Sequence, residues 1–381
     1  MKTYPKWLSA AVLSAMLASP AVALETKAKN VILMDYDTGE YLFAENAFVP
    51  VAPASMSKLM TVYVLFSKLK DGTLSLEDVF SVSENAWRTG GAASGSSTMF
   101  LPIGSKVTVE NLIKGIIIQS GNDACIVAAE NIAGSEEDFA ELMNAKAKEL
   151  GLKNSHFVNS TGLPHPDHRM SAEDLARLAQ ALIRDFPEYY SVFSQKSFTY
   201  NNILQGNRNP LLYSMPDADG LKTGHTAEAG FCLTASVKRG DRRLIGVMTG
   251  LKSNKERSEE AEKLMNWGFR EFNNYKVFKQ FQRIVSVPVY MGEEKSIDLA
   301  VDEDVIMTIA RSKARDVKLT AVYEKPVKAP VAQGDKLGEV KIEIPGGEVK
   351  TVPLYADHSI RKLGFWGRIL SNVKYLLFGA E

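Results

Sequence analysis

Ser55 and Lys58 stand three positions apart in the run Ser55-Met56-Ser57-Lys58, a spacing that sets a hydroxyl and an amine on one face of a helical turn. A serine hydroxyl is a poor nucleophile until a base takes its proton. A lysine can be that base where burial disfavours its ammonium form. The residues that follow, from Leu59 to Phe66, are apolar nearly all round, which places the helix inside a domain and supplies that setting. The start of such a helix also offers unpaired N–H groups to an oxyanion. The spacing alone carries little, because Ser67/Lys70, Ser359/Lys362 and Ser371/Lys374 repeat it and read as solvated helix faces. Ser55 differs in following Pro53 and preceding an apolar helix.

Two further stretches carry chemistry. In Ser120-Gly121-Asn122 the hydroxyl can pass a proton to a leaving amine, and the amide can hold a substrate carbonyl and the lysine together. Its plain structural reading is a helix–helix turn, since all three are turn residues; Ser83-Glu84-Asn85 is a second match. Lys222-Thr223-Gly224, followed by His225, opens a strand after Gly220. A lysine on an edge strand supplies a positive field for an anionic substrate, and Gly224 lets a ligand approach the backbone. The plain reading there is a strand entry with a solvated lysine.

The elements that must position these residues are legible by period and punctuation. Asn30 to Glu45 reads as a hairpin turning at Asp37-Thr38-Gly39. Helices are predicted over Lys58 to Leu69, from an N-cap at Thr108 to about Ile117, over Asp123 to Ile132 with Gly134 closing it, over Glu136 to Leu150 with Gly151 as its stop, and from a cap at Ser171 to Arg184. Gly230 to Lys238 and Arg243 to Leu251 flank Arg239-Gly240-Asp241, a hairpin signal, and Ser258 to Phe272 is the last helix. A hairpin, then helices, then strands and a helix predict an α/β (α+β) domain whose terminal strands share one antiparallel sheet. Beyond Val277 the chain reads in short alternating runs, Val285-Val287-Val289, Ile297-Leu299-Val301, Val317 to Tyr323 and Val340-Ile342-Ile344, the mark of a small all-β module. That module reads as a spacer or docking unit without chemistry.

Basic and acidic residues balance at 45 each, which gives no electrostatic case for nucleic acid. Lys2 and Lys6, the apolar run Trp7 to Ala18 and the small-x-small Ala21-Val22-Ala23 read as an export signal cleaved near Leu24. Ile360 to Phe378 repeats Leu363, Trp366, Leu370, Val373 and Leu377 at helical spacing with basic residues alongside, a pattern for an amphipathic helix at an anionic membrane surface. The expected organisation is a signal over 1–23, a catalytic domain over 24–277, the β domain over 278–356 and the anchoring helix over 357–381. Cys125 and Cys232 sit in apolar surroundings and read as buried free thiols, with a bridge as the alternative that an oxidising compartment permits; they show no zinc spacing with the five histidines, so no metal or cofactor is expected.

Together, S-x-x-K, S-x-N and K-T-G occur in an order shared by class A β-lactamases and penicillin-binding proteins. The chain closely resembles the low-molecular-mass penicillin-binding proteins that act as serine D-alanyl-D-alanine carboxypeptidases, over nearly its whole mature length. Gln119 to Cys125, Asn207-Arg208-Asn209 and Glu262 to Gly268 extend the likeness. The resemblance implies that Ser55 attacks the carbonyl between two D-alanines of a peptidoglycan pentapeptide stem, with Lys58 as base. Ser120 would relay the proton to the leaving group, and Asn122 would orient substrate and Lys58. The N–H groups of Ser55 and His225 would form the oxyanion hole. Lys222, Thr223 and Gly224 would face the terminal carboxylate, Arg257 would anchor it, and Arg208 would support the site from behind. It also implies acylation by β-lactam antibiotics and a periplasmic enzyme held at the inner membrane, with a part in cell-wall biogenesis and cell shape.

The rivals are a D,D-endopeptidase with the same site, a β-lactamase, and a non-catalytic peptidoglycan-binding protein. A class A β-lactamase carries a dedicated deacylating glutamate. Glu173, in the corresponding region, reads instead as part of a helix start, and no E-x-x-L-N pattern follows. The intact Ser55, Lys58, Ser120 and Lys222 argue against a non-catalytic protein.

Overall fold

The computed structural model describes residues 24–367 and residue 369. The predicted export signal and all but the beginning of the predicted terminal helix lie outside the described residues.

The first hairpin forms as expected, β1 (Asn30–Asp35) pairing antiparallel with β2 (Tyr41–Glu45). A short 3-10 turn, Ala54–Ser57, leads into α1 (Lys58–Lys70), ten of whose thirteen residues are buried. β3 (Val79–Ser81) and β4 (Lys106–Thr108) make a two-stranded ribbon. Thr108 then caps α2 (Val109–Lys114) by accepting from Asn111 N–H. This helix does not run on as an α-helix to Ile117: Gly115–Gln119 is a π-helical turn, a single-turn widening of the kind that clusters at functional sites. It delivers Ser120 in the left-handed region, with φ 66°.

α3 (Asn122–Ala133) ends on left-handed Gly134, and α4 (Glu136–Glu149) and α5 (Ala172–Asp185) start on the serine caps Ser135 and Ser171. β5 (Ser197–Tyr200), β6 (Ile203–Gly206) and the single turn α6 (Leu211–Ser214) precede the long strands. These are β7 (Ala218–Thr226), β8 (Gly230–Arg239) and β9 (Arg242–Leu251). The main sheet runs β2-β1-β9-β8-β7, antiparallel throughout, so the first hairpin and the late strands share one sheet as the element order implied.

α7 (Asn254–Glu271) begins four residues before the predicted Ser258, because Ser253 is its cap and accepts from Glu256 N–H. It packs over one face of the sheet, with Leu264 and Met265 among Leu33, Val237 and Leu244. The larger core lies on the other face, where α1 and α5 meet Ile32, Ile245 and Val247.

β10 (Phe272–Phe278) follows α7 directly and pairs with β13 (Val305–Ala310). β11 (Arg283–Tyr290), β12 (Ser296–Ala300), β14 (Lys318–Tyr323), β15 (Val327–Lys328), β16 (Lys336–Glu343) and β17 (Val349–Ala356) form a six-stranded sheet with its own core around Val287, Leu299, Ile342 and Leu354. Two sequence expectations are corrected here. Ser359 and Lys362 are not on a helix face: Ile360 and Lys362 make β-bridges to Val331 and Gly292. For the same reason the helical stretch starts at Phe365 rather than Ile360.

Candidate active site

Ala54, just before the nucleophile candidate, takes φ 49°, a left-handed conformation that a side chain rarely adopts. Two glycines make room for that turn. A Cβ on Gly162 would lie 2.1 Å from the Ala54 carbonyl oxygen, and one on Gly224 would lie 3.1 Å from both the Ala54 Cβ and the Pro53 oxygen. Gly224 thus lets the edge strand β7 press against the Ser55 turn, a role for the third K-T-G residue toward the protein as well as toward a ligand.

Lys58 is completely buried, and its Nζ lies 2.9 Å from Ser55 Oγ. The same amine donates to the Thr161 carbonyl at 2.6 Å. Burial is the chief cause that pulls its pKa down to about 8, with the Arg208 guanidinium adding to it. Lys222, 3% exposed, donates to the Thr223 carbonyl, and burial, with Lys58 nearby, holds its pKa well below the ordinary lysine range.

Asp123 fastens the S-x-N turn. Its carboxylate, wholly buried, accepts from Thr98 Oγ1 at 2.6 Å and from the N–H groups of Met99 and Leu101 at 2.9 and 3.1 Å. Asn122 is buried and donates to Ser96 Oγ, while its Oδ1 has no partner among the described residues. It does not bond Lys58, as the resemblance had implied; the Thr161 carbonyl does.

Ser55, Ser120, Thr223, Gly224 and His225 border one cleft of about 290 Å³, and Arg208, Arg257, Ser97 and Phe231 complete its wall. Lys58, Asn122 and Lys222 sit buried around it. Arg208 is a wall residue rather than a support from behind, and donates to Ser97 Oγ at 2.6 Å. The His225 ring stacks on Phe231, 4.0 Å between centroids. Arg257 is held by neutral groups, the Asn254 side chain and the carbonyls of Gly224 and Cys232, and its Nε is buried without a partner. Burial lowers its pKa to about 10. Among the described residues no acid pairs with this guanidinium, which opens on the cleft, and a planar fork of N–H donors in that setting has the chemistry to bind a carboxylate.

Sequence reasoning reached Thr161 only as part of a polar loop, residues 159–170, that would border the site, and it missed Asp123, Ser96, Ser97 and Phe231. Only Asp123 had a local signal, lying next to Asn122 at a helix start. Glu173 sits in the first turn of α5, bonded to Tyr41 Oη and Arg177. Cys125 and Cys232 are buried free thiols.

The sequence matches two family models. One, described as D-alanyl-D-alanine carboxypeptidase, covers residues 15–253, and the other, penicillin-binding protein 5 C-terminal domain, covers 272–362. The chain is 42% identical over 341 residues to D-alanyl-D-alanine carboxypeptidase DacC of Escherichia coli, an alignment spanning 89% of this chain and 85% of that protein. It is 40% identical over 352 residues to DacA of the same species, spanning 92% and 87%. Its fold is similar to crystal structures of penicillin-binding protein 5 from Haemophilus influenzae, with TM-score 0.79 and 37% identity over 89% of this chain and 99% of that one.

Proposed function

The chain belongs to the D-alanyl-D-alanine carboxypeptidase family, and from that premise we propose which of its groups performs each step. The enzyme removes the terminal D-alanine from peptidoglycan pentapeptides and is acylated by penicillins. One observation carries the assignment: a fully buried amine, Lys58 Nζ, 2.9 Å from Ser55 Oγ.

Lys58 in its neutral form takes the Ser55 proton as Oγ attacks the carbonyl between the two D-alanines. The oxyanion settles against the N–H groups of Ser55 and His225, preorganised donors whose worth is greatest in a dry cleft. The C–N bond then breaks as Ser120 passes its proton to the leaving amine and takes in return the one that Lys58 removed from Ser55, so that D-alanine departs and Lys58 is neutral again. Water attacks the Ser55 ester and frees the shortened peptide. Asn122 orients the peptide through the Oδ1 that the protein leaves free. Lys222, Thr223 and Gly224 shape the positive end of the cleft. Arg257 anchors the terminal carboxylate, with Arg208 beside it. A carboxypeptidase needs that anchor, whereas an endopeptidase cuts bonds without a free carboxylate at that point. Glu173, engaged by Tyr41 and Arg177, supports slow deacylation rather than lactamase turnover.

The reading extends to place. Substrate in the cell wall and the signal over 1–23 support an exported, periplasmic enzyme. Phe365 and Trp366, 63% and 80% exposed, support a terminal segment that rests on the outer face of the inner membrane. Residues 24–271 then carry the catalysis, residues 272–363 the β domain, which takes in β10 and the stretch bridged to Val331 and Gly292, and the segment from Phe365 onward the anchor. The deciding experiment is labelling with a fluorescent penicillin alongside D-alanine release from a pentapeptide, in the parent and in Ser55→Ala. Both signals should vanish in the variant; retained labelling overturns Ser55 as the nucleophile.

A further inference from the structure

Glu136 is the second residue of interest to Lys58, although it lies in another helix. It opens α4, where acids ordinarily serve the helix's own N–H groups. That task is already done: Ser135 Oγ accepts from Asp138 N–H at 3.0 Å. The Glu136 carboxylate turns away instead and accepts twice from Ser160, from its N–H at 3.1 Å and from its hydroxyl at 2.5 Å. Ser160 is fully buried, and its carbonyl accepts from Thr61 Oγ1 at 2.6 Å, one turn along α1 from Lys58. The next carbonyl, Thr161, is the one that accepts from Lys58 Nζ.

The Thr161 carbonyl fixes which way the amine faces. A carbonyl oxygen only accepts, so an N–H of Lys58 must point at it. Once the amine is neutral, its lone pair is left for the other near partner, the Ser55 hydroxyl. A carbonyl free to drift would leave the lone pair unaimed. Asn159 steadies the turn from within, its Oδ1 accepting from Thr161 N–H, Thr161 Oγ1 and Gly162 N–H. Two ties come from outside the loop, Thr61 on the Ser160 carbonyl and Glu136 on the Ser160 N–H and hydroxyl. We propose that Glu136 is a positioning residue for acylation: through Ser160 it holds the Thr161 carbonyl that orients the Lys58 amine toward Ser55.

This inference rests on Lys58 as the base, and the test separates the two. The full chain and its Glu136→Ala, Glu136→Gln, Ser160→Ala and Lys58→Ala variants are mixed with a chromogenic penicillin. The acylation rate constant and the dissociation constant of the preceding complex are measured separately. Glu136→Ala should slow acylation by about ten- to a hundredfold, with the dissociation constant changed by less than about twofold, because a displaced base costs rate rather than binding. Glu136→Gln, whose amide oxygen can accept both bonds, should stay within about threefold of the parent. Ser160→Ala, which keeps only the N–H bond, should fall between them and carries the test if Glu136→Ala does not fold. Acylation at the parent rate in Glu136→Ala or Ser160→Ala overturns the proposal. So does Glu136→Gln as slow as Glu136→Ala, since charge and not the bonds would then matter. Undiminished acylation by Lys58→Ala overturns the base assignment and this inference with it. Loss in Lys58→Ala with no loss in Glu136→Ala sinks this inference alone.

Discussion

Gly162 lies against Ala54 so closely that a Cβ built on it would stand 2.1 Å from the Ala54 carbonyl oxygen. Gly162 also has φ 80°, so a side chain there is strained before any contact is counted. The neighbour is backbone and cannot swing aside. Gly162→Ala should therefore push the Ser55 turn or the Thr161 carbonyl out of place. The expected result is acylation by penicillin slowed by about tenfold or more, with a lowered Tm, since a strained position of this sort costs about 1–3 kcal/mol. Stopped-flow acylation and thermal melts check it, and a variant with the parent's rate refutes the wedge.

Burial lowers the Lys58 pKa to about 8, and two pH effects follow. The base is the neutral amine, so acylation should rise with pH and level off above about 8. Lys58→Arg should abolish it at every pH, because a guanidinium does not deprotonate. Stability should move with pH as well. The folded pKa lies below the unfolded one, so the unfolded chain binds more protons between about 8 and 10.5. Below that window both states are protonated and the fold carries the whole cost of the buried ammonium; through the window that cost is relieved as pH rises. Lys58→Met should therefore melt higher than the parent at pH 7, with a gap that narrows toward pH 10.5. A gap that is constant or widens with pH contradicts the assignment.

Among the described residues Arg257 has no acid beside it and a buried Nε without a partner, so the proposed anchor takes its Coulombic partner from the substrate. Arg257→Ala should reduce kcat/KM for a pentapeptide by about ten- to a hundredfold, the usual range for a hydrogen bond to a charged group. Against the same peptide with an amidated C-terminus, parent and variant should be nearly equal. An equal loss on both peptides shows that Arg257 only props up the cleft.

What could be read in advance, and what could not, divides by distance along the chain. Ser55 and Lys58, or Ser253 and Glu256, are neighbours, so hydrophobic runs and capping patterns reveal them; the late start assigned to α7 overlooked a Ser-x-x-Glu signal that was present. β17 passed unnoticed because Pro353 speaks against a central strand. β12 pairs with β17 only at Tyr355 and Ala356, which leaves the stretch around Pro353 an edge on that side. The Thr161 carbonyl and the Gly162 wedge were invisible for a different reason. They join segments over a hundred positions apart, and a backbone oxygen leaves no trace in residue type.

Asp35 joins the two cores. It is fully buried, pairs with Arg242 Nε at 2.9 Å, and accepts from Asn274 Nδ2 in β10 at 3.1 Å. Arg242 also donates to the Phe272 carbonyl at 2.7 Å. Asp35→Ala leaves the largely covered Arg242 guanidinium without its carboxylate, so it should cost about 3 kcal/mol of stability. The cleft is not touched, and kcat for D-alanine release from the folded fraction should match the parent. Urea unfolding with an activity assay tests both halves, and an unchanged midpoint rejects the joint.

The boundary of the terminal anchor is set by burial rather than by the helical pattern. Ile360 is 2% exposed, and its N–H and carbonyl both bond Val331. Leu363 N–H donates to the Met291 carbonyl, and the Arg361 carbonyl accepts from Glu293 N–H. Residues up to Leu363 therefore complete the β domain, whereas Phe365 and Trp366 are exposed. A chain ending after Leu363 should stay folded, keep its D-alanine release, and no longer sediment with anionic vesicles. Ending after Asp357 also removes the Ile360 plug, and should lower the melting temperature of the β domain while leaving the cleft intact. Deleting a buried residue of this kind costs about 2–5 kcal/mol, well above what a surface change gives. Sedimentation with the vesicles by the chain ending after Leu363 removes the anchor from the terminus, and equal melting of the two truncations removes Ile360 from the core.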